Sequence, residues 1–372
     1  MILHPSELLS RTTKVLFRTM LLGYSPLTAE VQGRSACSPL IESVRQGGCQ
    51  QEPNSTDQPS VEFNQRLQRY LDVSTQEIVD FRYRPYLTTI QEILPCGLQG
   101  FDALYLINLA RRPEKLALSR AQLTPWGLTP SRVEAIDGRE LTCAQLSQLG
   151  LLFQPWMEEN IAYQWHPTRG KQIGWTQPSS LTWFTRGSNK AAVAIVLSHL
   201  SAIYDAYARG FQRIWIVEDD ISILENPHLL PAYIQELETV VGPDGWDILY
   251  TDPDTRTGDA RNERLTRDQN GERPDLPRLD KHSPRNTIST HWFQYGTRYG
   301  TYSQCVSRAG MQKLLSFYHI FGIFSALDSD THLIPGLRRY GLYQDLATHL
   351  FSVSDNLDCD RPQRPSWSAS VQ

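Results

Sequence analysis

Short, uninterrupted apolar runs alternate along this chain with longer stretches in which apolar residues recur at helical spacing. The run around which the others are arranged is Arg213 to Leu224, R-I-W-I-V-E-D-D-I-S-I-L, where Ile214 to Val217 is continuous and then meets Glu218, Asp219 and Asp220. A short β-branched run suits a strand buried on both faces of a sheet. Three acids cannot share that apolar layer, because an unpaired buried carboxylate costs several kcal/mol or changes its pKa. They are therefore expected at the sheet's edge, where open α/β sheets bind ligands.

The neighbouring pattern supplies the rest of such a sheet. F-D-A-L-Y-L-I-N-L from Phe101 predicts a buried strand, A-R-R-P-E-K opens a helix to about Leu123, and T-P-W-G closes it at Gly127. S-R-V-E-A-I-D-G then predicts a second strand ending at Asp137-Gly138, which completes a βαβ unit of the right-handed kind. From Lys190 to Ala208 the residues Val193, Val196, Leu197, Leu200, Ile203, Tyr204 and Tyr207 mark a long helix with a wide buried face, ended by Gly210. Further strands are expected at Trp246–Tyr250 and Gly296–Val306, with Ser307 capping a helix from Arg308 to Tyr318.

Upstream, Leu8 to Tyr24 reads as a first helix and residues 25–60 as loop or linker. Ser74 and Glu77 suggest a capping box, with Pro85 ending that helix or starting a turn. The chain thus divides into an N-terminal helical and loop extension, 1–95, a main domain, 96–358, and a polar tail, 359–372. Within the domain, Pro253 to Thr290 is charged, Pro-rich and too long for an ordinary connection; it reads as a lid, an acceptor-binding segment or disorder.

Composition narrows the class. A hydrophobic fraction of 40%, a charged fraction of 20% and a net charge of -4 describe a soluble globular protein with no polyanion signal, so nucleic acid is excluded as an expected partner. The cysteines, Cys37, Cys49, Cys96, Cys143, Cys305 and Cys359, contain no C-x-x-C pair, which favours a reducing, cytoplasmic setting. Leu8 to Tyr24 is too short and basic to span a bilayer; it packs against the protein's own body or lies on a membrane surface as a peripheral contact. The oligomeric state is not legible.

Close-set carboxylates at a strand end suit a hard cation, Mn²⁺ or Mg²⁺, that in turn holds a phosphate. Glu218, Asp219 and Asp220 are the candidate ligands; the alternative is an acidic turn, solvated or paired with arginine. Arg111 and Arg112, just past the first strand, meet phosphate or are solvated helix-start residues. Asp137 accepts from a ribose or base, or caps a turn. Ser198 and His199 interrupt the apolar stripe of the long helix, and His199 reads either as a hydrogen-bonded core histidine or as a group in direct contact with a ligand. Thr301 and Tyr302 stand in the Gly-rich expected strand Gly296–Val306, whose glycines let the backbone come close to a sugar or simply permit bends.

The ordered set L-I-N-L-A-R-R-P-E-K, A-I-D-G, L-S-H-L-S-A-I-Y, G-F-Q-R-I-W-I-V-E-D-D, W-D-I-L-Y and G-T-Y-S-Q-C-V-S-R-A-G-M-Q-K-L-L resembles the motifs of glycosyltransferase family 25 across about residues 101 to 355. That family includes bacterial lipooligosaccharide galactosyltransferases and is related to the collagen galactosyltransferases. The resemblance implies a GT-A-like fold, a mixed, mostly parallel sheet flanked by helices. It implies a nucleotide-sugar donor, commonly UDP-galactose, and a divalent metal, Mn²⁺ or Mg²⁺, on the E-D-D acids with Asp220 foremost. The acceptor would be a saccharide, lipooligosaccharide or glycoprotein hydroxyl, which puts lipopolysaccharide biosynthesis among the expected settings. Arg111, Arg112, Asp137, Ser198, Thr301 and Tyr302 would then lie on the donor side. If transfer inverts the anomeric centre, the family pattern marks Asp328 as general base; Asp330, two residues on, is the next candidate and Asp345 the third, and the alternative is that Asp328 caps a helix near Ser329. The chain departs from the family in having Ala-Ile-Val-Leu where a Gly-Cys pair usually precedes Ser-His. Two other classes remain open, a catalytically silent nucleotide-sugar binding module and an interaction or effector protein on the same fold.

Overall fold

Why the sheet has two differently filled faces is plain from the strand at its centre. In β3 (Arg213–Glu218) the residues Ile214 and Ile216 point to one face and Trp215 and Val217 to the other, and all four are fully buried. The computed structural model describes residues 61–151, 190–252, 286–295, 298, 300–323 and 326–350. Before β3 come β1 (Ala103–Leu109) and β2 (Ser131–Ala135); after it come β4 (Ile221–Ile223), β5 (Ile248–Tyr250), β6 (Asn286–Thr287), β7 (Trp292–Gln294), β8 (Ser303–Ser307), β9 (Arg339–Leu342) and β10 (Ala347–His349). The main sheet has the order β2-β1-β3-β8-β5-β9-β7-β6, and β10 and β4 form a separate pair.

Strands β1, β2, β3, β5, β9 and β6 run one way and β8 and β7 the other, so the expectation of a mixed α/β sheet flanked by helices is met. Against the Ile214 face lie α5 (Lys190–Ala208) and α7 (Arg308–Phe321); against the Trp215 face lie α3 (Pro113–Leu123) and α6 (Leu230–Val241). Helix α5 is long and apolar enough to cross a membrane by composition, but here it is the core helix, buried on nearly every side from Ala191 to Tyr207. Its N-terminus meets the turn after β2 so closely that a Cβ on Gly138 would stand 2.7 Å from the Ala191 backbone nitrogen.

Two expectations are corrected. The later strand starts at Ser303 rather than Gly296, because the residues just before it spend their polar groups elsewhere: the Tyr302 carbonyl accepts from the Glu218 N–H and the Gly300 N–H donates to Asp328. The segment 61–95 is not an appendage. Helices α1 (Val61–Leu71) and α2 (Thr75–Val79), the latter with both halves of the Ser74–Glu77 capping box, precede Phe81 and Tyr83, which lie in the core with Tyr70 and Ile78. Tyr83 alone ties three regions, donating to the Leu149 carbonyl at 3.3 Å and accepting from the Ile323 N–H at 3.0 Å. Pro85 falls in a short 3-10 turn, Arg84–Tyr86. The small helices α4 (Cys143–Gln148) and α8 (Leu327–Asp330) complete the described α-helices. The expected first helix at Leu8–Tyr24, the tail 359–372 and nearly all of the long segment from Pro253 lie outside the described residues.

Candidate functional site

Strand direction decides where the acids go. β1, β2, β3, β5 and β9 all end at one edge of the sheet, and β8, running the other way, begins there. The turn after β3 therefore puts Glu218, Asp219 and Asp220 beside Thr301 and Tyr302 at the start of β8, beside Arg111 after β1 and beside Asp137 after β2. There a cleft of about 260 Å³ is walled by Arg111, Lys115, Asp137, His199, Tyr302 and His349 together with the three acids.

The acids differ in what they touch. Glu218 Oε1 accepts from the Thr301 hydroxyl at 2.9 Å and lies 3.1 Å from His199 Nε2. His199 Nδ1 meets the Gln304 side-chain amide at 3.1 Å, which leaves Nε2 to face Glu218. Burial works against ionising Glu218, but the hydrogen bond and charge of His199, then Thr301 and Lys115, outweigh it and hold the carboxyl below its ordinary range. Asp219 accepts from the Asn108 amide at 2.7 Å and has Lys115 Nζ at 3.8 Å.

Asp220 is the unbalanced member. Its Oδ1 is buried with no hydrogen-bond partner, while its backbone carbonyl accepts from Leu350 N at 2.6 Å where β4 and β10 meet. Burial first, then the charge of Glu218 and, more weakly, of Asp219, push its carboxyl up to about 7, with Lys115 opposing. A half-buried carboxylate with one oxygen out of water and without a donor favours positive charge beside it.

The other expected residues divide. Arg111 pairs with Asp137 at 2.6 Å, and Asp137 also caps the turn after β2 by accepting from Arg139 N at 3.0 Å. Arg112 turns to Glu114 and does not line the cleft. Ser198 reaches the cleft wall, but its hydroxyl donates to the Ala194 carbonyl at 2.7 Å and accepts from Ile136 N at 2.9 Å, pinning β2 to α5. Asp328 and Asp330 do not line the cleft; Asp328 accepts from Gly300 N at 2.9 Å and Ser329 N at 2.7 Å, and Asp330 is fully buried.

Sequence reasoning misses Lys115, Asn108, Gln304 and His349. Lys115 is visible as the cation in R-R-P-E-K, and Asn108 and Gln304 as polar residues inside apolar strands, where a buried amide implies a partner. His349 carries no such signal; its ring stacks on Tyr302 with centroids 4.5 Å apart because β10 pairs with β4.

Among the described residues no three His, Cys, Asp or Glu side chains converge as a complete metal cage. A hard cation that takes one or two carboxylates and fills its other positions with phosphate and water needs no such cage. The partnerless Asp220 oxygen, with Asp219 adjacent, fits an ion of that kind.

Fold and cleft together describe an α/β protein whose acidic, ligand-facing edge is built from the ends of parallel strands. The comparisons with known proteins carry this further. Over 151 residues the chain is 28% identical to Inactive glycosyltransferase 25 family member 3 of Mus musculus, covering 41% of this chain and 22% of the mouse protein. The Homo sapiens protein of the same name is 28% identical over 152 residues, with the same coverage of 41% and 22%. Procollagen galactosyltransferase 2 of Homo sapiens is 27% identical over 122 residues, covering 33% of this chain and 16% of that protein. The resemblance to glycosyltransferase family 25 is thus shown across about two fifths of the chain, and the matched stretch spans about a fifth of the length of these relatives. No family model matches. Among solved structures, mannose-1-phosphate geranyltransferase from Thermus thermophilus superposes with a TM-score of 0.27 at 11% identity, covering 64% of this chain and 72% of that one, too loosely to bear on the fold.

Proposed function

We propose that this chain is a hexosyltransferase that takes galactose from a UDP-sugar and passes it to a saccharide or glycoconjugate hydroxyl. The observation that carries the reading is Asp220, a half-buried carboxylate whose buried Oδ1 lacks any donor, at the strand-end edge of a chain similar to glycosyltransferases. Asp219 and Asp220 would hold a divalent cation, Mn²⁺ or Mg²⁺, which when bound neutralises the charge of a diphosphate leaving group. The residues of the chain do the rest. Arg111, fixed by Asp137, and Lys115, fixed near Asp219, bring positive charge to the cleft wall for phosphate oxygens. Tyr302, backed by His349, offers an aromatic face to a sugar or base. A GT-A-like assignment of the sheet and an inverting outcome belong to the same proposal.

A second reading is favoured by the names of two relatives, which are called inactive. In it the cleft binds a nucleotide sugar and transfers nothing. One experiment separates the two: the full chain is screened against UDP-galactose, UDP-glucose and other nucleotide sugars, with and without Mn²⁺, for thermal stabilisation and donor hydrolysis. Cation-dependent stabilisation with hydrolysis supports the transferase, stabilisation alone supports the silent module, and neither with any donor refutes both.

A further inference from the structure

The three residues that lead into β8, Gly300, Thr301 and Tyr302, are held at successive points by groups from other elements. The Gly300 N–H donates to Asp328 Oδ2 at 2.9 Å, the Thr301 hydroxyl donates to Glu218 Oε1 at 2.9 Å, and the Tyr302 carbonyl accepts from the Glu218 N–H at 2.9 Å. Asp328 is itself fixed, since its other oxygen accepts from Ser329 N at 2.7 Å. Glu218 is fixed from behind by His199, which is wholly buried and held by Gln304. Chains of hydrogen bonds of this sort, partly or wholly out of water, set position, because each member is held by the next. The only ring the segment presents to the cleft is that of Tyr302, among the described residues that line it.

We infer that Glu218 and Asp328 are positioning residues. They pin the segment Gly300–Tyr302 as a strap across the end of β3, with His199 and Gln304 setting the Glu218 carboxylate, and the strap presents Tyr302 to the cleft. Two carboxylates that the family pattern offers as metal ligand and base thus act through a third residue. The strap stands on geometry alone; that the group meeting Tyr302 is a nucleotide sugar rests on the function proposed above.

The inference separates hydrogen bonding from charge, and a neutral isostere tests that separation. In Glu218→Gln the retained Oε1 still accepts from both Thr301 and His199, whereas Glu218→Ala removes the acceptor. Thr301→Val removes the donor while keeping the volume, Gln304→Leu frees the histidine ring, and Asp328→Ala frees the Gly300 amide. Hydrogen exchange by mass spectrometry on full-length protein, without ligand, reads peptides spanning Gly300–Gln304 and Glu218. Exchange there is expected to accelerate at least tenfold in Glu218→Ala, Thr301→Val and Asp328→Ala, less in Gln304→Leu, and within about twofold of the parent in Glu218→Gln. Peptides from α6, on the opposite face of the sheet, are expected to be unchanged, which excludes general unfolding. Rescue by Gln at position 218 supports the strap; equal deprotection in Glu218→Gln and Glu218→Ala, or undisturbed exchange in Thr301→Val, overturns it. UDP is then titrated into the same variants by calorimetry: weaker binding that tracks strap deprotection ties the strap to the nucleotide site. If UDP does not bind the parent, the proposed function fails while the exchange result still decides the strap.

Discussion

Replacing Asp220 by asparagine should make the unliganded protein more stable, at the expense of the cation site proposed above. The folded chain pushes this carboxyl from 3.8 up to about 7 through burial and the charges of Glu218 and Asp219. Between those two values the folded state binds a proton that the unfolded state has lost, so stability falls as pH rises from about 4 to about 7 and is level above. Asparagine does not titrate, so the stability difference between variant and parent should start near zero at about pH 4 and reach its ceiling above pH 7. A shift of about three units corresponds to about 4 kcal/mol at about 1.4 kcal/mol per unit. The residue lies on a cleft wall within reach of water, and the new amide needs partners of its own, so about half of that, roughly 2 kcal/mol, is the expected gain. In a chain of this size that is a rise in Tm of about 4 °C at pH 8. Differential scanning calorimetry of both proteins from pH 4.5 to 8.5, without added metal, reads it directly. A variant that is less stable at pH 8, or a difference that does not shrink on acidification, would refute the claim that Asp220 is an uncompensated buried charge.

Three further outcomes are expected. Arg298→Met should lower stability by about 3 kcal/mol in a urea titration, because the wholly buried Asp252 loses a bidentate partner at 2.8 and 3.2 Å; adding Asp252→Leu should recover much of the loss. Gly310→Ala should cost several kcal/mol or prevent folding, since its Cβ would lie 2.2 Å from the backbone carbonyl oxygen of Asp247, and soluble yield with circular dichroism checks it. Ser74→Ala should cost about 1 kcal/mol by removing the cap of α2, measured as a small Tm decrease.

The elements legible in the sequence are those whose pattern is local. β3 carries an unbroken apolar run and α5 apolar residues at helical spacing, and the pattern places both within a residue of where they lie. The cap at Ser307 and the box at Ser74 follow from short-range hydrogen bonding, which needs only neighbouring residues. What is hidden depends on partners distant along the chain. Nothing near Gly300 says that its amide will meet Asp328, so the pattern extends the strand too far. Nothing near Tyr83 says that it will bond to Leu149 and Ile323, so the first helices read as an appendage. At the site, sequence locates the acids as a group, because three carboxylates after an apolar run must leave the core. It does not distinguish their surroundings, since the donors to Glu218 and Asp219 come from α5, β1 and the approach to β8, while Asp220 Oδ1 receives none.

The helix that bears Ser198 and His199 has a bearing on how this protein is studied by genetics. Because α5 is buried on nearly every side, most substitutions in it disturb packing whether or not they touch the cleft. In a cell a loss of about 1–2 kcal/mol lowers abundance several-fold through quality control, well before any chemistry is examined. A selection scored on product of the proposed transfer would therefore return α5 as its densest cluster of hits and rank a core alanine beside the histidine. Dividing product by the amount of soluble chain, variant by variant, would pull the two apart.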